Sequence, residues 1–569
     1  MTVKSTLLSG AALGVLLATG SGFSAEAKTR HHHRAETAEP AGPSVRSEIE
    51  ELRAQVEALK ARSDAEAASQ SQAQSQLATV QAQLADTQAL AREQQAKLDE
   101  QIQTIPATVD TRVASMLPKT DKLYIKGVSL AFGGFVAAES VSRSRSEEAD
   151  IASSFSGIPF PNTNLGRTSE TRLTARQSRF TGLVQGQISP TLLASAYAEV
   201  DFLGAAQTAN SNETNSYTPR MRVFYTTLDY ETSFGGVHLL AGQNWSLATL
   251  NGKGISPRNE VPPPVIDAQY VPGFVFTRQP QVRLAADFNN SLWAAVSVEN
   301  PQTTYFNNGK YLPTPAGAQP ITVFTNGAAG SGFNSANTLS LNRYPDVIGK
   351  LAYEQNVAGH QFHAEVFGVY RDFYARINQG AGLFNTDVAG GGVGFGMTLQ
   401  VIPKVFDIQG SGIIGRGIGR YGASQLPDVT IGLNGALHPV SEDAFLAGGT
   451  FHYGKALDIY VFGGEEREHR TSYTVGTAYN GLGNPAYDNT GCETEGGACS
   501  GNTRYVDQIT GGFWDRPYVG KFGRVQFGMQ YSYTERHAFA GYGTAGAAGN
   551  PAPIARENMI LTSIRYYPF

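Results

Sequence analysis

Three arginines stand close together in the segment TRLTARQSRFTG, at positions 172, 176 and 179. A guanidinium group binds carboxylates and phosphates through paired hydrogen bonds and stays charged at any working pH. In a helix, Arg172 and Arg176 would share a face with nothing apolar opposite; in a strand, they stand beside residues that suit lipid. The segment therefore leaves two alternatives: these arginines hold a wall together, or they bind an anion that passes it.

The residues that follow Arg179 alternate between apolar and polar side chains. In RFTGLVQGQIS, Phe180, Val184 and Ile188 share one face, and Arg179 lies on the other. The segments LLASAYAEVDF, QVRLAADF and RVQFGMQYSYT show the same period of two. One apolar and one polar face over about ten residues are typical of a transmembrane β-strand. The pattern predicts an all-β transmembrane barrel with an aqueous lumen.

The composition of the 569-residue chain also indicates a large β-protein. It has 63 glycines, and charged residues make up 16%. No internal run approaches the ~20 apolar residues of a membrane helix. The net charge of −5 and the lack of a basic, aromatic-rich patch give no indication of nucleic-acid binding. At about 25–28 residues per strand and loop, residues 122–569 predict about 16 antiparallel strands, with about 18 as the alternative.

The alternation assigns several charged residues to the lumen. In PRMRVFYTTLDYE we take Met221, Val223 and Tyr225 as lipid-facing. Arg220 and Arg222 then point inward. The other inward residues from this alternation are Arg179, Arg283, Glu199 and Asp201. Arginines in a lumen attract anions, and facing clusters of opposite sign create a field across it. The alternative for each arginine is that it pairs with a wall carboxylate or holds a loop.

Arg172 and Arg176 stand at even positions and Arg179 at an odd one, so in one regular strand Arg172 and Arg176 would lie on the opposite face from Arg179. A lipid-exposed arginine at mid-bilayer costs roughly 2–4 kcal/mol, and the cost falls near zero at the interface. The two arginines therefore lie beyond the hydrocarbon, or a bulge turns them inward.

The N-terminus predicts export. Residues 1–27 have an early lysine, an apolar core and the small residues of AEA at the end, which is the pattern of a cleaved signal peptide. Residues 28–43 are polar, and we expect them to be disordered. Three adjacent histidines at 31–33 could bind a metal ion, but adjacent histidines do not converge easily on one ion.

Residues 44–105 carry apolar side chains at heptad spacing in a segment rich in Ala, Gln, Glu, Leu and Arg. The seam residues that we expect to mediate oligomerisation are Ile49, Leu52, Val56, Leu59, Leu77 and Leu84. The centre of the seam is polar, which fixes register and oligomer number rather than adding stability. The pattern predicts a coiled coil of roughly 90 Å at about 1.5 Å per residue. A linker over 106–121 follows it.

The C-terminal part carries two further signals. Cys492 and Cys499 stand in the glycine-rich segment GCETEGGACSG, where we expect a disulfide-closed loop tip. The alternative is a metal pair, although no histidine or further cysteine lies near in sequence. The chain ends in LTSIRYYPF, and Phe569 with Tyr567 matches the closing strand that barrel-assembly machinery recognises.

Three segments resemble successive landmarks of the DcaP-type trimeric outer-membrane transporters: PRMRVFYTTLDYE, GGVHLLAGQNWS and FTRQPQVRL. The segment TARQSRF resembles both this family and phosphate-selective porins. The resemblance implies a periplasmic coiled coil, a sixteen-stranded barrel, a homotrimer and uptake of small anions, notably dicarboxylates. Carried over by position, it supports as pore residues Arg179, Arg220, Arg222, Arg278 and Arg283.

We therefore expect a porin of the Gram-negative outer membrane through which small anionic solutes diffuse past an arginine-lined constriction. Besides the other copies in the trimer, its expected partners are outer-membrane lipid, lipopolysaccharide and the assembly machinery; no cofactor or metal is expected. The alternative is a structural or adhesive protein whose coiled coil contacts peptidoglycan or a periplasmic partner. An enzyme is not expected, because neither HExxH spacing nor a Ser-His-Asn setting occurs. A trimeric adhesin contributes only a few strands per chain, and a TonB-dependent receptor needs a plug domain where the coiled coil stands.

Overall fold

The computed structural model describes nine ranges of the chain: residues 45–103, 122–204, 218–306, 321–324, 339–379, 382–432, 434–475, 477–541 and 552–568. The predicted signal peptide, polar segment and linker, and the terminal Phe569, lie outside the described residues. The chain divides into two compact units, Met1–Met116 and Leu117–Phe569.

The first unit contains one described helix, α1 (Val45–Gln103). Its residues are mostly strong helix formers, and it ends shortly before Pro106. The seam residues Val56, Leu59 and Leu84 are 60%, 67% and 60% exposed, so their apolar faces are uncovered in a single chain. The side chains of Ile49, Leu52 and Leu77 lie outside the described part. Among the described residues, no helix is long and apolar enough to cross a membrane. The helix occupies the predicted place, and its assembly into a coiled coil stays a prediction.

Within the described residues of the second unit, sixteen antiparallel strands form a closed barrel. Their bounds are β1 Val128–Arg143, β2 Arg179–Ser189, β3 Leu192–Gly204, β4 Thr218–Glu231, β5 Gly236–Trp245, β6 Arg278–Phe288, β7 Leu292–Glu299, β8 Asp346–Val357, β9 His360–Gln379, β10 Gly382–Ile402, β11 Phe406–Arg416, β12 Ser441–Tyr453, β13 Leu457–Glu468, β14 Thr503–Gly520, β15 Gly523–Ala538 and β16 Ile554–Tyr567. Strand β1 pairs with β2 on one side and with β16 on the other, which closes the barrel. The predicted sixteen-strand barrel is confirmed.

Shorter elements accompany the barrel strands. The short strands are Leu123–Ile125, Glu170–Thr174, Tyr305–Phe306, Ile321–Phe324, Val429–Ile431, Leu437–Pro439, Thr471–Val475 and Ala478–Leu482. Short 3-10 helices span Phe155–Gly157, Leu165–Arg167 and Gly419–Tyr421. Most of these elements belong to loops at one end of the barrel.

Short turns and long loops alternate along the barrel. Turns at one end cover 190–191, 289–291, 358–359 and 521–522. Loops at the other end include the described residues 144–178, 246–277, 300–306, 339–345, 417–432, 434–440, 469–475 and 477–502. In bacterial outer-membrane barrels the short turns are periplasmic and the long loops extracellular.

Side chains alternate between the outer wall and the interior, because successive Cβ atoms of a strand point to opposite faces. Phe180 and Ile188 on β2 are 53% and 62% exposed on the outer wall, as predicted. On β6, Val282 and Leu284 are exposed while Arg283 between them is buried. The period of two therefore identifies the inner face correctly along these strands.

Strand β4 departs from the predicted alternation. Glu199 pairs with Val223 and Val200 with Met221, so Arg222 is an extra residue in β4. Such a bulge shifts the facing of every later residue by one position. Met221 is exposed as predicted, but Val223 and Tyr225, predicted to face lipid, are 2% and 5% exposed inside the barrel.

Candidate functional site

The loop 246–277, which we name the lumen loop, crosses the interior of the barrel. Gln409 on β11 donates to the carbonyl of Val261 at 3.4 Å. Trp514 on β14 donates to the carbonyl of Pro264 at 2.7 Å. The next strand, β15, accepts the Ile266 amide on a side-chain oxygen of Gln530. Strand β11 lies three strands away from the adjacent pair β14 and β15, so the loop reaches separate parts of the wall and occupies the lumen. The sequence had left open which loop would do so.

An aromatic cluster fixes the second half of the lumen loop. The ring of Tyr270 lies 5.0 Å from that of Phe274 and 5.2 Å from that of Phe276. Trp245, the last residue of β5, packs 6.0 Å from Tyr270. Gly273 has a φ of 88°, and a Cβ there would come within 2.0 Å of a backbone carbonyl of β12. Glycine at this position therefore lets the loop backbone approach the wall closely.

Arg222 connects the barrel wall to the lumen loop. Its guanidinium donates to Glu199, to Asp201 at 3.0 Å and to the hydroxyl of Tyr270 at 3.3 Å. The side chain is 2% exposed. Arg222 lies on β4, and its hydrogen-bond partners lie on β3 and on the lumen loop. Arg222 therefore acts mainly as a cross-link between these three elements.

Arg220 and Arg179 share these carboxylates but keep more contact with solvent. Arg220 forms a bidentate pair with Asp201 at 2.9 and 2.7 Å. Arg179 lies 3.3 Å from Glu199. Their side chains are 34% and 26% exposed, so each keeps side-chain surface that solvent reaches.

Arg278, the first residue of β6, and Arg283, further along the same strand, make different contacts. The Arg278 guanidinium stacks 4.9 Å over the Trp245 ring, and its buried Nη1 has no hydrogen-bond partner among the described residues. Arg283 is 3% exposed and donates to the Trp245 carbonyl at 2.6 Å and to Gln281 at 3.0 Å. Arg283 therefore holds the wall, whereas the Arg278 guanidinium packs on the Trp245 ring and leaves one buried N–H without a partner among the described residues.

Arg172 and Arg176 lie in the loop 144–178, outside the sixteen barrel strands. The segment 175–178 interrupts the wall between the short strand Glu170–Thr174 and β2, which resets the parity. Arg172 pairs with Val141, whose side chain is fully buried, and so lies on the inner face. Arg176 donates to the carbonyls of Phe202 and Gly204 and to Asp150. It ties the end of β3 to the loop 144–178, in which Arg176 and Asp150 both lie.

A cavity of about 280 Å³, which we name the arginine cavity, lies between the lumen loop and the wall. Its lining includes the five arginines Arg179, Arg222, Arg516, Arg524 and Arg565. Three aspartates also line it: Asp201, Asp267 and Asp458. Positive charge therefore exceeds negative charge among the described lining residues. Glu199 does not line the cavity, but it lies 3.3 Å from Arg179 and offsets part of the positive charge of Arg179.

Sequence reasoning missed three of these arginines. Arg524 precedes Val525 and Gln526 in a segment whose alternation was recognised, so its inward parity was available. Arg565 lies between Ile564 and Tyr566, both exposed on the outer wall. Arg516 follows Asp515, where the pairing of β14 with β15 shifts, and no sequence signal locates it.

A second cavity of about 310 Å³, which we name the acidic cavity, lies on the other side of the lumen loop. It shares Pro262, Pro264 and Asp458 with the arginine cavity. His452 contacts Asp458 at 2.7 Å and Asp407 at 3.2 Å here. No arginine is among the described residues that line it. The two sides of the loop therefore carry opposite charge.

Asp267 makes the charge of the arginine cavity depend on pH. It lies on the lumen loop, outside the strands, and accepts hydrogen bonds from the hydroxyl and the amide of Ser153 at 2.6 and 3.2 Å. Burial raises the pKa of Asp267 to about 6. Below that pH its carboxyl is mostly neutral, and the cavity is more positive.

Cys492 and Cys499 form a disulfide in the loop 469–502. The bond closes a short segment at the end of the barrel with the long loops. It lies away from both cavities and makes no contribution to their lining.

The barrel resembles solved outer-membrane channels. The crystal structure of the outer membrane channel DcaP of Acinetobacter baumannii matches with a TM-score of 0.54 and 16% identity, over 78% of this chain and 99% of that chain. This chain has the DcaP channel fold. The predicted DcaP-type resemblance is thereby confirmed at the level of the fold.

A weaker match is the anion-selective porin from Comamonas acidovorans, with a TM-score of 0.40, 11% identity and coverage of 77% of this chain and 99% of that chain. No protein-family model matches the chain, and no curated protein matches it.

Proposed function

We propose that the chain is an outer-membrane porin through which small anionic solutes diffuse passively past the arginine cavity. The observation that carries this proposal is the arginine-lined cavity between the lumen loop and the wall of a sixteen-strand barrel. A barrel of this size encloses an aqueous channel that an inward loop narrows.

The preference for anions follows from the unequal charge of the cavity. Arg179 and Arg220 are paired with carboxylates but remain partly exposed. A permeating carboxylate can accept hydrogen bonds from such groups, because arginine binds carboxylates in a bidentate manner. The acidic cavity on the opposite side orients the solute by repelling its negative end. A dicarboxylate-like solute fits several separated arginines better than a single charge does.

The assembly that we propose is a homotrimer in the Gram-negative outer membrane, with α1 in the periplasm. The exposed Val56, Leu59 and Leu84 supply the seam that further copies of α1 would cover. Lipid, lipopolysaccharide and the barrel-assembly machinery are the proposed partners of the barrel. Attachment of the coiled coil to peptidoglycan or a periplasmic partner is a second function, supported by its length of 59 residues.

Single-channel recording of the purified protein in planar bilayers tests the transport proposal. We expect conductance steps in groups of three and a reversal potential, under a salt gradient, on the anion-selective side. A protein that inserts without conducting, or that prefers cations, would contradict the proposal.

Deleting residues 44–105 should leave the single-channel conductance of each barrel unchanged, because the cavities are built within the second unit. The trimer should dissociate at a lower temperature, since the seam of α1 no longer contributes. Conductance is recorded in bilayers, and trimer dissociation is followed on unheated and heated gels. A control carries polar substitutions at Val56, Leu59 and Leu84 and keeps the helix length. Equal trimer stability in all three proteins would show that α1 does not stabilise the trimer.

A further inference from the structure

A cluster of three metal-ligating residues lies on the outer wall, apart from both cavities. Asp507 is on β14, and Glu535 and His537 are on β15; Asp507 pairs directly with Glu535. One ligand atom from each lies within 4.8 Å of the other two. Ile509, two residues after Asp507, is 58% exposed on the outer wall, so Asp507 shares that face. The cluster lies near the end of the barrel that carries the long loops.

The three ligand atoms converge on one point. His537 Nε2 lies 2.9 Å from Glu535 Oε2 and 3.4 Å from Asp507 Oδ1. The Asp507 Oδ1 atom is inaccessible to solvent and accepts no hydrogen bond among the described residues. One imidazole nitrogen therefore faces two carboxylate oxygens, one of which has no hydrogen-bond donor.

Neighbouring groups orient these ligands. The other oxygen of Glu535, Oε1, accepts hydrogen bonds from the Tyr533 hydroxyl at 2.6 Å and from Arg556 at 2.8 Å. Glu535 Oε2 is thereby turned toward His537. The Tyr505 ring stacks on the imidazole at 4.0 Å, with an angle of 14° between the planes. Such outer contacts are the ones that fix ligand geometry in metal sites.

We propose that Asp507, Glu535 and His537 bind a divalent transition-metal ion of the Zn²⁺ type. Two carboxylates and one imidazole form a three-ligand set that Zn²⁺ accepts, and they leave a further coordination position open to water. This inference goes beyond transport, because the site faces outward. No spacing motif in the sequence marks this site, since the ligands stand 28 residues and two residues apart on neighbouring strands.

The test is calorimetric titration of ZnCl2 into the detergent-purified full chain after chelator treatment. The parent for this titration carries His31, His32 and His33 replaced by alanine, so that the N-terminal histidines contribute nothing to the measured Zn²⁺ binding. The variants are His537→Gln, which removes a ligand, and Tyr533→Phe, which removes one contact that orients Glu535. The matched control is His469→Gln, because His469 Nε2 contacts one carboxylate, that of Asp443, at 2.8 Å.

We expect one Zn²⁺ per chain in the parent and in the control with equal affinity. His537→Gln should weaken binding by at least about 100-fold and Tyr533→Phe by about 10-fold. Heat-dependent mobility on gels verifies that each barrel is folded. Absence of stoichiometric binding in the parent, unchanged binding in His537→Gln, or an equal loss in His469→Gln would each overturn the proposal. None of these outcomes bears on anion conductance, so the porin proposal is tested separately.

Discussion

Replacing residues 256–272 of the lumen loop by a short Gly-Ser linker should raise the single-channel conductance about twofold or more, because a sixteen-strand barrel without an inward loop encloses a wide aqueous channel. The replaced residues include Pro262 and Pro264, which stand between the two cavities. Removing them should merge the cavities and weaken ion selectivity. Bilayer recording measures both quantities on the same protein.

A point variant tests the same idea without removing the loop. Gln530→Ala deletes the acceptor of the Ile266 amide, so the loop should fluctuate and the open-channel current should become noisier. Gln526→Ala is the matched control, because Gln526 lies four residues earlier on the same inner face and lines the arginine cavity. Unchanged conductance after loop replacement would show that the lumen loop is not the constriction.

The barrel could be predicted from the sequence because its main signal is local. Phe180, Val184 and Ile188 stand four residues apart and therefore lie on one face of a strand, whose side chains alternate with a period of two. Lipid on one side of the wall requires that period along the whole strand. The prediction failed where local geometry changed. The bulge at Arg222 leaves no mark in the composition of β4, and only the pairing of Glu199 with Val223 reveals it.

The position of the lumen loop could not be predicted, because its partners are distant in sequence. The hydrogen bond between Trp514 and Pro264 joins residues 250 positions apart, and the one between Ile266 and Gln530 joins residues 264 apart. The loop itself offers three successive prolines, which favour an extended, stiff backbone but specify no direction. Which loop enters the lumen is therefore decided by side chains on β11, β14 and β15.

The candidate site was predicted in part. Parity placed Arg179, Arg220 and Arg222 inward, and the structure brings all three to the carboxylates of Glu199 and Asp201. The alternation along a strand does not show which inward arginine is fully paired with neighbouring acceptors, because pairing depends on distances between strands. The distinction between a wall arginine and a solute-facing arginine consequently required the structure.

The arrangement of these charges leads to the second large effect. Arg179→Gln combined with Arg524→Gln should abolish most of the anion preference, because the five arginines that line the arginine cavity fall to three, equal to its aspartates. Both residues line the cavity, and glutamine keeps most of the side-chain stem. The measurement is the reversal potential in a salt gradient, which should move several-fold closer to zero. Arg283→Gln is the control, since Arg283 is 3% exposed and bonded to the Trp245 carbonyl. If the double variant kept the parent's reversal potential, or if the control lost preference equally, the arginine cavity would not be the selectivity site.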